Sequence, residues 1–177
     1  MPRIHVCSLQ RMYATVRETG AGDVVTVIKA TTRVPTPEQI AAERHLVLNF
    51  SDITEPREGE VMAGERDVAA LLDFVTRWDR ARPLVIHCYA GVSRSTASAF
   101  IAACALRPDR SETEWAGLLR GFSPTASPNR HLVTLGDRLL GREGRMITAI
   151  EAIGRGEEAY EGIPFALDIG SASPPAR

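Results

Sequence analysis

Lysine is almost missing from this chain: Lys29 is the one lysine among 21 basic residues, and the rest are arginines scattered along it. The scatter reads as a coding bias rather than a basic patch. Set against 22 acidic residues, these cations leave a net charge of −1. That balance excludes a general attraction to nucleic acid or to an anionic membrane, so anion binding has to come from a local site. Long apolar runs are lacking too. The longest, Ala97 to Leu106, has ten residues, far short of the roughly 20 that span a bilayer. The opening residues MPRIHVCSLQ have no apolar core of the signal-peptide kind. Cysteine is sparse: Cys7, Cys88 and Cys104 form no Cys-x-x-Cys, and His5, His45, His87 and His131 are dispersed. Neither a metal site nor a disulfide framework is expected, and the cytoplasm is the expected compartment. Cys7 and Cys104 sit among apolar residues and read as small buried hydrophobes. Cys88 does not.

What is present is an ordinary globular composition, 44% hydrophobic and 24% charged over 177 residues, enough for one domain with its own core. The pattern alternates between strand and helix. Strands are expected at 3–7, 24–28, 45–50 and 84–86, and helices at 9–19, 65–80, 94–107, 112–120, from 127 onward, and at 146–153. Thr36, Pro37 and Gln39 form a capping box with proline at the first helical position, which predicts a further short helix over 37–44. Ser111 and Glu114 form another. The fold class that follows is α/β in three layers, a mostly parallel sheet of about four or five strands flanked by helices. Leu71, Val75, Leu84, Val85, Ile86, Phe100, Ile101 and Leu132 are the expected core. Residues 1–153 read as a single domain and 154–177 as a C-terminal extension, its last seven residues expected to be disordered. Within it, Ile163 to Ile169 is apolar enough to pack on this domain or on a second copy.

The run LVIHCYAGVSRSTASAFIAACAL carries the chemistry. Five residues separate Cys88 from Arg94, and the loop passes straight into a helix N-terminus. Backbone N–H groups of Tyr89, Ala90, Gly91, Val92 and Ser93 can all point inward, and the helix dipole adds positive potential at the same place. Gly91 supplies the positive φ that such a turn often needs. Arg94 can fork onto two oxygens of a tetrahedral dianion. The same field favours the thiolate of Cys88, which becomes a nucleophile at the floor of an oxyanion cradle. Attack on phosphorus, through a phosphocysteine, fits that arrangement. The Ser95 hydroxyl can donate to the sulfur and ease its departure.

His87-Cys88, five residues, then Arg94-Ser95 resembles the signature of the cysteine-based protein tyrosine phosphatase superfamily. Ala90-Gly91-Val92-Ser93-Arg94-Ser95 is most similar to its dual-specificity branch. Ser127-Pro128-Asn129 near a last helix extends the likeness, which covers about 45–140 well. The resemblance implies a phosphomonoester hydrolase with no cofactor, acting on phosphorylated protein. It also implies a general acid on the loop after strand 45–50, where Asp52 fits. Glu55, Glu58 and Glu60 are rivals in the same loop, but Phe50 and Ile53 flank Asp52 and are expected to keep it partly dry. His87 is implied to hydrogen-bond within the loop and tune the thiolate; the other histidines read as surface or core residues. With no lysine in the loop, phosphotyrosine is the implied substrate before inositol phosphates, and Tyr89 lines the rim. A phosphatase of small metabolites, phosphoinositides or RNA 5′ ends, a phosphoprotein-binding module that has lost turnover, and an anion loop of structural use alone are the alternatives. The oligomeric state is left open.

Overall fold

The structure, a computed structural model, describes residues 2–170. Its elements follow in order: β1 (Arg3–Ser8), α1 (Leu9–Thr19), β2 (Asp23–Ile28), β3 (His45–Asn49), α2 (Glu65–Arg77), β4 (Leu84–Cys88), α3 (Arg94–Leu106), α4 (Glu112–Phe122), α5 (Arg130–Leu139), α6 (Arg145–Ile153) and β5 (Phe165–Asp168). The five strands form one sheet in the order β3-β2-β4-β1-β5. All neighbours run parallel except β5, which pairs antiparallel with β1. Strand β4 therefore lies in the middle, and its carboxyl end delivers Cys88 to the place where open α/β sheets set their sites.

Side chains alternate across the sheet and define its two faces. Cys7, Val24 and Val85 meet Met12 and Val16 of α1 on one side. Ile4, Val6, Val25, Val27, Leu84 and Ile86 meet the remaining helices on the other. The architecture is the expected three-layer α/β sandwich, with one helix on one face and five on the opposite face. Helix α3 is buried on nearly every side, which accounts for its alanines: larger residues would hold β4 and the neighbouring helices apart. All eight residues expected in the core are buried.

Two local readings change. Residues 37–44 do not form a helix; a turn and one 3₁₀ segment, Ala42–Arg44, stand there instead. The Thr36 hydroxyl, which would have capped it, is hydrogen-bonded to His45 Nδ1 at 2.8 Å, and a tertiary partner outcompetes a local cap. The helix expected from Ser127 begins later, at Arg130, with Asn129 as its cap accepting from the Leu132 N–H at 3.0 Å. Residues 163–169 take the first of the two places expected for them. The apolar stretch 163–169 packs on this domain: β5 closes one edge of the sheet, and Phe165, Leu167 and Ile169 enter the main core. The seven terminal residues expected to be disordered lie outside the described residues.

Ending the chain at residue 153 is expected to uncover the β1 edge and remove those three side chains from the core. A loss of roughly 5 kcal/mol follows at about 1.5–3 kcal/mol per buried apolar side chain. Urea titration of the truncated and full chains measures it; equal midpoints would show that the strand contributes nothing.

Candidate active site

The loop between β4 and α3 is held by its carbonyl groups. Tyr89 O accepts from the Leu9 N–H at 3.1 Å, Ala90 O from Gly162 at 2.8 Å, Val92 O from Ser127 at 2.9 Å and Ser93 O from Asn129 at 3.3 Å. These four donors come from α1, from the segment before β5, and from the approach to α5. In a trans peptide the following N–H points away from the carbonyl. With the carbonyls drawn outward, the N–H groups of Ala90, Gly91, Ser93 and Arg94 turn inward. The Gly91 N–H lies 3.2 Å from Cys88 Sγ, consistent with that sense. Gly91 has φ +72°, and a Cβ there would lie 2.7 Å from the Cys7 carbonyl carbon and 2.8 Å from the Ser8 nitrogen. Both the left-handed backbone and the close crossing over β1 demand glycine.

Within this ring Cys88 is buried and Ser95 Oγ stands 3.1 Å from its sulfur. To a thiolate that hydroxyl can only donate. Arg94, also buried, donates from NH1 to Phe50 O at 3.0 Å. Its Nε is buried with no hydrogen-bond partner among the described residues. One corner of the guanidinium is thus pinned, and the Nε edge is left for an anion. Cys7 and Cys104 are different in kind: burial pushes their thiols up to about 11 and about 12, so both stay protonated at neutral pH. Cys7 also faces the α1 side of the sheet while Cys88 faces the α3 side, so the two are not placed to form a disulfide.

Asp52 comes to this loop from the turn after β3. Its Oδ1 accepts from Ser93 Oγ at 2.7 Å and from Asn129 Nδ2 at 2.8 Å. The expected apolar shielding is absent: Phe50 is buried but turns into the core, and Asp52 itself is exposed. Of the rival carboxylates, Glu60 is held by Lys29 at 2.7 Å and by the Ser51 hydroxyl, and Glu55 and Glu58 are exposed. Tyr89 projects at the rim, 65% exposed.

His87 lies beneath the loop, fully buried, and burial pushes its pKa down to about 4. Its Nδ1 faces the Cys88 carbonyl at 3.3 Å, and its Nε2 is 2.7 Å from the Thr26 hydroxyl. That hydroxyl also lies 2.7 Å from His45 Nε2, and His45 Nδ1 meets Thr36. One hydroxyl proton cannot serve two nitrogens, so a single direction satisfies every group. Thr36 donates to His45, His45 to Thr26, Thr26 to His87, and His87 to the Cys88 carbonyl. Sequence reasoning placed His45 among incidental histidines, passed over Thr26, and noted Asn129 only as part of the Ser127-Pro128-Asn129 likeness. The one signal for Thr26 was a hydroxyl inside the otherwise apolar strand VVTVI.

No protein-family model matches the sequence, and no curated protein matches it. Solved structures do share its fold. The Cydia pomonella PTP-2 phosphatase superposes with a TM-score of 0.59 at 20% identity, over 75% of this chain and 82% of that one. Human DUSP28 gives 0.60 at 15% identity over 79% and 89% of the two chains, and DUSP15 gives 0.62 at 13% over 86% and 92%. The chain thus shares the fold of these phosphatase structures.

Two outcomes are predicted. A buried neutral histidine binds fewer protons when folded than when unfolded, so His87 stabilises the fold fully above pH 6.5 and loses that contribution as pH falls toward 4. The span is on the order of 3 kcal/mol. His87→Gln should flatten that part of the stability–pH curve measured by denaturant unfolding; an unchanged slope would remove His87 as its source. Thr26→Val should free His87 to take the other tautomer and slow alkylation of Cys88 by iodoacetamide about tenfold, on a loss of roughly 1.4 kcal/mol for one hydrogen bond. Thr26→Ser should restore the rate. Equal rates in all three proteins would show that the hydroxyl is not felt at the sulfur.

Proposed function

We propose that this protein is a phosphomonoester hydrolase of the tyrosine and dual-specificity phosphatase type, with Cys88 as nucleophile. The observation that carries the reading is the loop itself: carbonyls bonded outward, N–H groups turned inward, and a sulfur at the centre with Ser95 beside it. That arrangement matches a tetrahedral dianion in both charge and shape.

The Cys88 thiolate attacks phosphorus while the Arg94 guanidinium and the loop N–H groups hold the equatorial oxygens. The bond from phosphorus to the leaving oxygen breaks as Asp52 gives that oxygen its proton. Ser93 and Asn129 hold the aspartate at the loop, and its exposure lets it reach the leaving group of a bound substrate. Water then attacks the phosphocysteine, Asp52 takes a proton from it, and Ser95 donates to the departing sulfur. Every group these steps use is a side chain or backbone group of this chain. The substrate is a phosphorylated protein, phosphotyrosine first, because a phenoxide leaves readily and Tyr89 offers a ring at the rim. The cytoplasm fits this chemistry, since a reducing compartment preserves the thiol. Among the described residues no helix is long and apolar enough to cross a membrane.

Hydrolysis of para-nitrophenyl phosphate and of phenyl phosphate in EDTA tests the proposal. Wild type should turn over both, and Cys88→Ser neither. Asp52→Ala should lose about 10²–10⁴-fold on phenyl phosphate, the poorer leaving group, and less on the other. Absence of turnover by wild type across pH 5–8 would replace the hydrolase with a phosphate-binding module.

A further inference from the structure

After α6 ends at Gly154, the chain does not leave the catalytic loop but runs along it. The Gly156 N–H donates to Ser127 Oγ at 2.9 Å, the Glu157 N–H to Pro124 O at 2.9 Å and the Gly162 N–H to Ala90 O at 2.8 Å. Glu161 is tied down by the Ser8 hydroxyl at 2.5 Å and by Arg11 at 3.2 Å. A Cβ on Gly156 would lie 2.6 Å from Ala126 O, and one on Gly162 2.5 Å from Gly91 O. The segment is therefore anchored at both ends, near Gly156–Glu157 and at Glu161–Gly162, on the two sides of the site, with 157–160 exposed between the anchors. Its side chains form walls. One cavity of about 550 Å³ lies between Ser93 and the residues Glu157, Glu158 and Tyr160. A larger one of about 790 Å³ opens from Asp52 and Ser93 on the other side of Arg155.

The two cavities differ in charge. Into the larger one three elements each bring an arginine: Arg57 from the loop after β3, Arg130 from the first turn of α5, and Arg155 from the segment after α6. Its carboxylates are Asp52 and Glu151. Glu151 is engaged by Arg130 through Nε at 2.9 Å and NH2 at 2.7 Å. Arg155 has only a loose partner, Glu158 at 3.5 Å, with both side chains at least 80% exposed, and such a pair contributes little. Arg57 makes no ion pair among the described residues. Two guanidinium groups are thus available beside the site. The smaller cavity shares Arg155 and sets Glu157 and Glu158 against it.

We propose that the segment 155–162 is a recognition wall, and that Arg57 and Arg155, with Arg130 behind them, form a subsite for a second anionic group on the substrate, a carboxylate or a phosphate next to the scissile phosphoester. This rests on the hydrolase reading and names its substrate class: phosphopeptides with an acidic or doubly phosphorylated flank. The guanidinium fork suits both oxyanions. In the opposite cavity two carboxylates outweigh the shared Arg155, so the charge balance favours an anionic flank on the Arg57 side of the cleft.

Three phosphotyrosine peptides that differ only in the flanking residue, Glu, phosphoserine or Gln, test it. For wild type, kcat/KM should be about fivefold higher for the two anionic peptides than for Gln, through KM, as one exposed charge pair of about 1 kcal/mol provides. The gain should fade in 0.5 M salt, a concentration chosen on screening grounds. Arg57→Ala/Arg155→Ala should abolish the difference and leave the Gln peptide and para-nitrophenyl phosphate unchanged. A preference for phosphoserine over Glu would assign the subsite to phosphate; equal gains would assign it to any anion. Equal kcat/KM for all three peptides, with para-nitrophenyl phosphate still hydrolysed, overturns the subsite alone. Failure to hydrolyse para-nitrophenyl phosphate overturns the hydrolase reading. The Kd values of the same peptides, by calorimetry, then decide the subsite separately.

Discussion

The interaction on which the rest depends is the outward bonding of the loop carbonyls. A loop of inward N–H groups is an unfavourable object by itself, because like dipoles converge and the carbonyls must still find donors. Here the donors are backbone groups of Leu9, Gly162, Ser127 and Asn129. They are spread over the start of α1, the segment before β5 and the approach to α5. The site therefore exists only when the first and last thirds of the chain have docked against the middle. That requirement also explains why the segment after α6 lies where it does: it supplies one of the four donors before it continues to the sheet edge.

The same economy of contacts joins Asp52 to that loop. Ser93 belongs to the loop and Asn129 caps α5, and both bind one oxygen of Asp52. Asn129 does three things at once: its N–H satisfies Ser93 O, its side-chain oxygen caps α5, and its Nδ2 holds Asp52. Arg94 closes the circle by donating to Phe50 O at the root of the loop after β3. The loop around Cys88, Arg94 and Asp52 are thus mechanically coupled, and a shift in the loop after β3 is felt by Arg94. Beneath them the chain of hydroxyls and imidazoles from Thr36 to His87 sets the tautomer of a histidine that burial keeps neutral.

Much of this was legible in the residues. The strands were readable from β-branched runs such as Val24–Ile28, and the helices from apolar spacing such as Val68, Leu71 and Val75, because those patterns are local consequences of burial. Gly91 was legible because a tight turn of positive φ requires that residue type, and Cys88, Arg94 and Ser95 stood out as a thiol, a guanidinium and a hydroxyl at fixed separations around it. The failures have a common cause. Thr36 looked like a helix cap, yet its hydroxyl is bound to His45. Asp52 looked shielded by its neighbours, yet Phe50 turns inward and leaves it exposed. Local rules weigh neighbours in sequence, and in each case a distant partner or the direction of a side chain prevailed.

By itself the sequence determined the alternation of strands and helices, and the chemical identity of the groups in the loop after β4. Both follow from interactions over a few residues. The tertiary structure alone decided which carboxylate meets that loop, which histidine stands behind His45 and Thr26, and where the chain after α6 is seated. Those outcomes depend on β4 lying between β1 and β2 and on β5 returning antiparallel to β1. Strand order is set by the summed burial of two sheet faces, a property of the whole chain that no short stretch of it encodes.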